Sequence, residues 1–320
     1  MRWSSGSVRR APERALAVFL AVAASSTAAD LAFVTCQNGD ALSVLDLATG
    51  EETARWSVPG KPAGVAVAQD GTVYTVAPDA KTVRRHGPGG AVLAEAVLDG
   101  GPMGAALDPQ RAHLFVSDWY NARLWVLDAQ TLAVIAELPS GAAPAGMALS
   151  PDGRLLAAAE RDADRVSLYD AETLTPVRSV PVGTRPFGLG FAPDGRLFVG
   201  NVGSNDVTVI DPGPGEVLAT LPVGDRPYGV AFAEGRAFVT NQYAGTVSVI
   251  DLGDLSAVDE LSVGEYPEGI AATSDGKIAV ANWFDNTLSL IDARTLEVVR
   301  DLDTADGPRA FGAFLLHTGG

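Results

Sequence analysis

An aspartate that closes an alternating apolar stretch returns at Asp46, Asp128, Asp170, Asp211, Asp251 and Asp292. Gly87 fills the gap between the first two, and the steps are then 41, 41, 42, 41, 40 and 41 residues. A second marker, a glycine two places after a proline, falls at Gly64, Gly104, Gly146, Gly188, Gly229 and Gly269, with a looser seventh at Gly312. Self-similarity at this period defines a repeat architecture. Seven copies fill the chain from Leu31 almost to its end and leave no room for a second domain.

Within one copy, residues 229–233, 237–241, 246–251 and 257–263 alternate apolar and polar side chains between turn signals. They read as four short strands, A to D, with no helical stripe. Four strands per forty-residue unit make a propeller blade. The predicted fold is therefore all-β: a seven-bladed β-propeller of four-stranded antiparallel blades, one domain over residues 30–320. The mature chain starts on strand-B text (31–36) and ends on strand-A text (310–316). The C-terminal strand should thus join the N-terminal blade and remove the open edge a ring would otherwise leave.

The B and C strands carry a recognisable text. Phe238-Val239-Thr240-Asn241 precedes Thr246-Val247-Ser248-Val249-Ile250-Asp251, and the pattern returns at 198–201 with 207–211 and at 280–282 with 288–292. It resembles the YVTN family of β-propeller repeat proteins. Blade 2 departs most, with Ala77 in the Asn column and Arg84, Arg85 and His86 where the apolar stretch should run. The resemblance implies an exported seven-bladed propeller. Among such relatives are binding proteins, a periplasmic single-stranded DNA binder, lactonases and subunits of quinoprotein amine dehydrogenases.

Residues 1–29 read as a secretory signal: Arg2, Arg9, Arg10 and Arg14 precede an apolar stretch from Ala15 to Ala24 and small residues to Ala29. Ala11, Pro12 and Glu13 fit the twin-arginine route poorly. The expected location is periplasmic or secreted, and no later stretch is long and apolar enough to be a transmembrane segment. The formal net charge of -16 becomes about -19 once residues 1–28, with four Arg and one Glu, are removed. So acidic a surface argues against nucleic acid as a partner. The lone Cys36 rules out an intramolecular disulfide.

The repeating Asp residues and the Pro-Asp-Gly-Arg turns at 151–154 and 193–196 read as turn chemistry, a short carboxylate accepting backbone N–H groups. A column at the end of strand B reads Cys36, Ala77, Asp118, Ala159, Asn201, Asn241 and Asn282, placed to satisfy backbone groups of the B–C turn. No Cys-x-x-Cys-His, Gly-x-Ser-x-Gly or phosphate-cradling glycine loop is present, so no cofactor is indicated. His86, His113 and His317 fall toward the turn-Asp face, which disfavours a histidine-based metal site or acid–base pair at the other mouth.

Strands of a meander alternate in direction, so the D–A and B–C loops share one face. That face collects Trp119, Tyr120, Gln242, Tyr243, Trp283 and Phe284, together with Lys61, Arg185, Phe187, Arg226, Tyr228, Glu265, Tyr266, Glu268 and Arg309. Aromatic and Arg side chains on scaffolded loops are the residue types of binding hot spots. The assigned binding residues are Trp119, Tyr120, Trp283, Phe284, Tyr243, Gln242, Arg185, Arg226, Tyr228, Tyr266 and Lys61. The first reading is a non-enzymatic scaffold that binds a partner protein or small ligand there. The alternative is a periplasmic enzyme or enzyme subunit, whose chemistry would fall to carboxylates among Asp118, Glu160, Asp162, Glu265, Glu268 and Asp285. A third reading is single-stranded DNA binding by base stacking on the paired aromatics.

Overall fold

The computed structural model describes Met1, Trp3 and residues 30–318. The export segment read from the sequence lies, apart from Met1 and Trp3, outside the described residues. Seven antiparallel sheets follow one another round a ring, as the repeat requires. Blades 2 to 7 each take their four strands A–D in chain order, and blade 1 takes B, C and D from Leu31–Cys36, Ala41–Asp46 and Glu51–Ser57. The B and C strands are buried along their middles, with half-buried ends, because each blade is sandwiched between two neighbours. The D strands, such as Thr175–Pro181, lie exposed on the circumference.

The turn aspartates behave as turn chemistry. Asp170 Oδ1 accepts the N–H of Glu172 at 3.0 Å and of Thr173 at 2.7 Å, and Asp46, Asp128 and Asp292 repeat the pattern. The strand-B column meets expectation at Asp118, whose Oδ1 accepts the N–H of Tyr120 in the B–C turn at 3.2 Å, and differs at the Asn residues. The Asn201, Asn241 and Asn282 amides donate to side chains of strand C, among them the hydroxyls of Thr208, Ser248 and Ser289 at 2.8–2.9 Å, instead of capping the turn backbone. In blade 4 the column residue is Glu160, not Ala159, because Glu160 pairs with Pro144 as Asn201 does with Pro186. Its carboxylate accepts from Ser140 Oγ and pairs with Arg165.

The glycine column has a steric cause. Each blade's inner strand lies against the main chain of the next, and a Cβ on Gly188 would come within 1.8 Å of the Tyr228 carbonyl oxygen, on Gly146 within 2.6 Å of that of Phe187. Hydroxyls stitch the same seam: Thr35, Ser117 and Thr240 donate to the Ala63, Ala145 and Glu268 carbonyls at 2.7–2.9 Å.

Ring closure is as expected in outline and more divided in detail. Leu315–Leu316 pairs antiparallel with Leu31–Ala32 and completes blade 1. The preceding Phe311–Ala313 runs parallel to Gly64–Ala66 of blade 2, so the last strand is shared between two blades. Arg309 N donates to Thr35 O at 2.7 Å and Phe33 N to Phe314 O at 2.8 Å.

Two outcomes test this frame. Gly188→Ala should destabilise the ring by about 2–3 kcal/mol, since the neighbouring main chain cannot yield; an unchanged denaturation midpoint refutes the close approach. Deleting residues 309–320 removes the buried Ala310, Phe311, Phe314 and Leu315. It should lower the thermal midpoint by roughly 10 °C or more, and calorimetry showing no shift would refute closure by this segment.

Candidate functional site

The ring axis encloses a cavity of about 580 Å³ walled by the inner strands of blades 3 to 7 and by Phe311–Ala313. Its two ends differ. At the D–A and B–C face the wall residues Glu268 and Phe311, with Phe187 and Tyr228 behind them, are buried; toward the A–B turns Leu149, Phe191 and Phe232 are half-buried and Gly312 and Ala313 exposed. The channel is therefore blind at the aromatic face and open at the turn face. The blind end is plugged by rings: Phe187 and Tyr228 lie 4.4 Å apart, Phe187 and Phe311 5.1 Å, Trp119 and Phe187 6.0 Å between centroids.

Among the described residues Glu268 is the one charged residue in the wall, and it is 3% exposed. Gln242 Nε2 donates to its Oε1 at 2.6 Å, and Arg309 Nε lies 2.7 Å from its Oε2. That second contact is an ion pair without hydrogen-bond alignment, which leaves Oε2 with no donor. Arg309 also donates to the Tyr228 hydroxyl and, at 3.3 Å, to Gln37 Oε1. Burial pushes the Glu268 carboxyl above the usual range, against the opposing pull of Arg309 and Gln242. Burial likewise raises the Tyr228 phenol. Such a carboxylate, kept in apolar surroundings and held by two fixed groups, is suited to proton transfer.

Of the residues assigned from the sequence, the structure brings Tyr228 and Gln242 to this cluster and Trp119 to its plug. Five others form a separate arc on the same face. The Arg226 guanidinium sits 4.0 Å over Tyr243, Tyr243 lies 5.1 Å from Tyr266, Tyr266 4.4 Å from Phe284, and Phe284 4.5 Å from Trp283. Tyr120 is exposed and apart from both groups. Arg185 and Lys61 are bound through their main-chain N–H to Asp164 and Asp40. Lys61, Arg185, Arg226 and Tyr266 all occupy left-handed turn positions before a proline, so that column serves the turn first.

The other carboxylates read as acid–base candidates are engaged elsewhere: Asp118 with Gly101 N, Tyr120 N, Asn121 and Arg123, Asp162 with Arg161, and Asp285 with Glu265 N. His86 lies between Thr75 and Gly90, and His317 pairs with Asp30. Among the described residues no three His, Cys, Asp or Glu converge in a metal-holding group, and no helix is long and apolar enough to cross a membrane.

Sequence reasoning missed Gln37 and Phe311. Gln37 was within reach: it follows the strand-B column in blade 1, as Trp119, Gln242 and Trp283 do in theirs.

A family model described as "Lactonase, 7-bladed beta-propeller" matches residues 106–221, just over a third of the chain. No curated protein matches the sequence significantly. Solved structures share the fold. A streptogramin B lyase is 19% identical with a TM-score of 0.68, over 79% of this chain and 90% of that one. A functionally unknown protein from Desulfotomaculum acetoxidans DSM 771 is 17% identical with a TM-score of 0.77, over 90% and 99%. Dihydro-heme d1 dehydrogenase NirN in complex with DHE is 20% identical with a TM-score of 0.67, over 85% of this chain and 63% of that one. The molecule is a seven-bladed β-propeller similar in part to lactonase-type propellers. That match overturns the non-enzymatic scaffold read from the sequence and favours its enzyme alternative. The scaffold reading rested on the lack of an assembled catalytic spacing. The ring brings Gln37, Tyr228, Gln242, Glu268 and Arg309 together from blades 6, 7 and 1, contacts that no spacing in the sequence shows.

Arg309→Met should leave Glu268 buried without its counter-charge, at a cost of about 3–5 kcal/mol. A carboxyl raised in the fold loses stability as pH rises through its folded pKa, so the deficit should be larger at pH 8 than at pH 5. Equal deficits in urea melts at the two pH values would show that the Glu268 charge is not what Arg309 balances.

Proposed function

We propose that the chain is an exported hydrolase of lactonase-like type that opens a small ester or lactone inside the axial channel, with Glu268 as the acid–base group. The observation that carries this reading is the placement of a single carboxylate, Glu268, at the blind end of a cavity otherwise walled by uncharged residues. The partial lactonase match supports the reaction class, and the repeat text supports a place among YVTN-type exported propellers.

The roles follow from the contacts. Glu268 takes a proton from a water as the water oxygen bonds to the carbonyl carbon; the ester C–O bond then breaks, and the proton passes to the departing oxygen, giving a hydroxy acid. Gln242 fixes the orientation of the carboxylate, and Arg309, itself held by Tyr228 and Gln37, opposes the upward push of burial on the carboxyl pKa. The plug of Phe187, Tyr228 and Phe311 keeps bulk water from the far side. Because burial raises the Glu268 carboxyl, activity should fall on acidification at a pH above that of an ordinary carboxylate.

The test is acid release by the purified chain from lactones and simple esters graded in size and polarity, followed by pH-stat. Glu268→Gln should lower the rate by about 10²-fold or more, compared at a temperature where circular dichroism shows the variant still folded. Absence of turnover on every substrate, or an undiminished rate in Glu268→Gln, refutes the reading.

A further inference from the structure

The channel wall says more about the ligand than the reaction class does. Its open half is lined by Leu107, Leu149, Leu189, Phe191, Val230 and Phe232, all half-buried in the absence of a ligand. Large apolar side chains left partly in water around a concave space mark a site that an apolar surface covers. Among the described residues no charged or hydrogen-bonding side chain other than Glu268 is in the wall, and the nearby cation Arg309 is already paired with it. A phosphate or carboxylate on the ligand would find no counter-charge there, and a polyol would find only the main-chain edges of the inner strands.

We infer that the channel takes an uncharged amphiphile: an ester or lactone head at Glu268 and a linear apolar tail running along the axis to the mouth at the A–B turn face. This rests on the channel being the substrate site and specifies what enters it and from which side. The head meets one polar side chain among the described wall residues, that of Glu268. The tail has one way out, because the other end is closed by Phe187, Tyr228 and Phe311. Entry is thus opposite to the face where the exposed aromatics Tyr120, Tyr243 and Phe284 gather.

The experiment is calorimetric titration of Glu268→Gln and the unsubstituted chain with γ-lactones of increasing alkyl length, and with n-alkanols of the same lengths. Affinity for both series should rise about fourfold per added methylene until the channel is filled. Ala313→Trp, which narrows the mouth, should abolish that binding, and Ala313→Asp at the same exposed position should weaken it with folding intact. Tyr120→Ala on the opposite face should leave it unchanged. An affinity independent of chain length, or one insensitive to both Ala313 substitutions, overturns the inference. The two proposals separate cleanly. A steep chain-length dependence with no lactone turnover removes the hydrolase and keeps the amphiphile site, whereas turnover with a flat dependence does the reverse.

Discussion

The contact on which the molecule depends is the approach of each inner strand to the main chain of the next at the glycine column. The distances a Cβ would meet there, from 1.8 to 2.8 Å at Gly188, Gly269, Gly146, Gly104 and Gly229, leave space for hydrogen only. Close packing of this kind transmits position rigidly from blade to blade. It also sets the bore of the axis, since the residue before each glycine is pinned by its carbonyl, as Ala63, Ala145 and Glu268 are by the hydroxyls of Thr35, Ser117 and Thr240. A side chain on that residue has nowhere to go but the closed end of the channel. Structure and site are thus built on neighbouring positions of one tripeptide.

The charged cluster stands on this frame at some thermodynamic cost. Removing Glu268 and Arg309 from water is unfavourable, and their attraction offsets the cost only when further bonds hold them in place. Those bonds exist: Gln242 on one side, Tyr228 and Gln37 on the other. An apolar pair of similar volume would serve stability as well or better. A buried ion pair at the seam of blades 7 and 1, with one carboxylate oxygen left undonated, is therefore not explained by stability alone.

Much of the fold was legible because the repeat averages seven noisy copies into one pattern: blade count, strand count, turn aspartates and the closing strand all follow from register alone. Errors occur where one copy departs from that average. Blade 4 places Glu160 rather than Ala159 in the strand-B column, and the last strand, read as continuous, divides at Phe314 between blades 2 and 1. The site was half legible. Loop topology put Tyr228, Gln242, Glu268 and Arg309 on one face, but only the ring's closure decides that these four meet, whereas Arg226, Tyr243, Tyr266, Trp283 and Phe284 form a group of their own. Sequence spacing cannot show contacts such as that of Gln37 with Arg309, made across the junction of the two chain ends.

A repeat protein can nevertheless be read for function by asking which positions the repeat leaves free. Between the fixed proline and the fixed glycine of each inner strand there is one such position. Blades 2 to 7 fill it with Ala63, Met103, Ala145, Phe187, Tyr228 and Glu268. The sequence runs from small and apolar on one side of the axis to aromatic and then acidic on the other, so the closed end of the channel is lopsided, with its only acid against the seam where the chain returns. The first loop position after strand B varies in the same way and supplies Gln37, Trp119, Gln242 and Trp283. Gly188 and its equivalents cannot vary without breaking the ring, and the turn aspartates act on the opposite face. The residues that converge on Glu268 come from these two variable columns and the closing Arg309 alone.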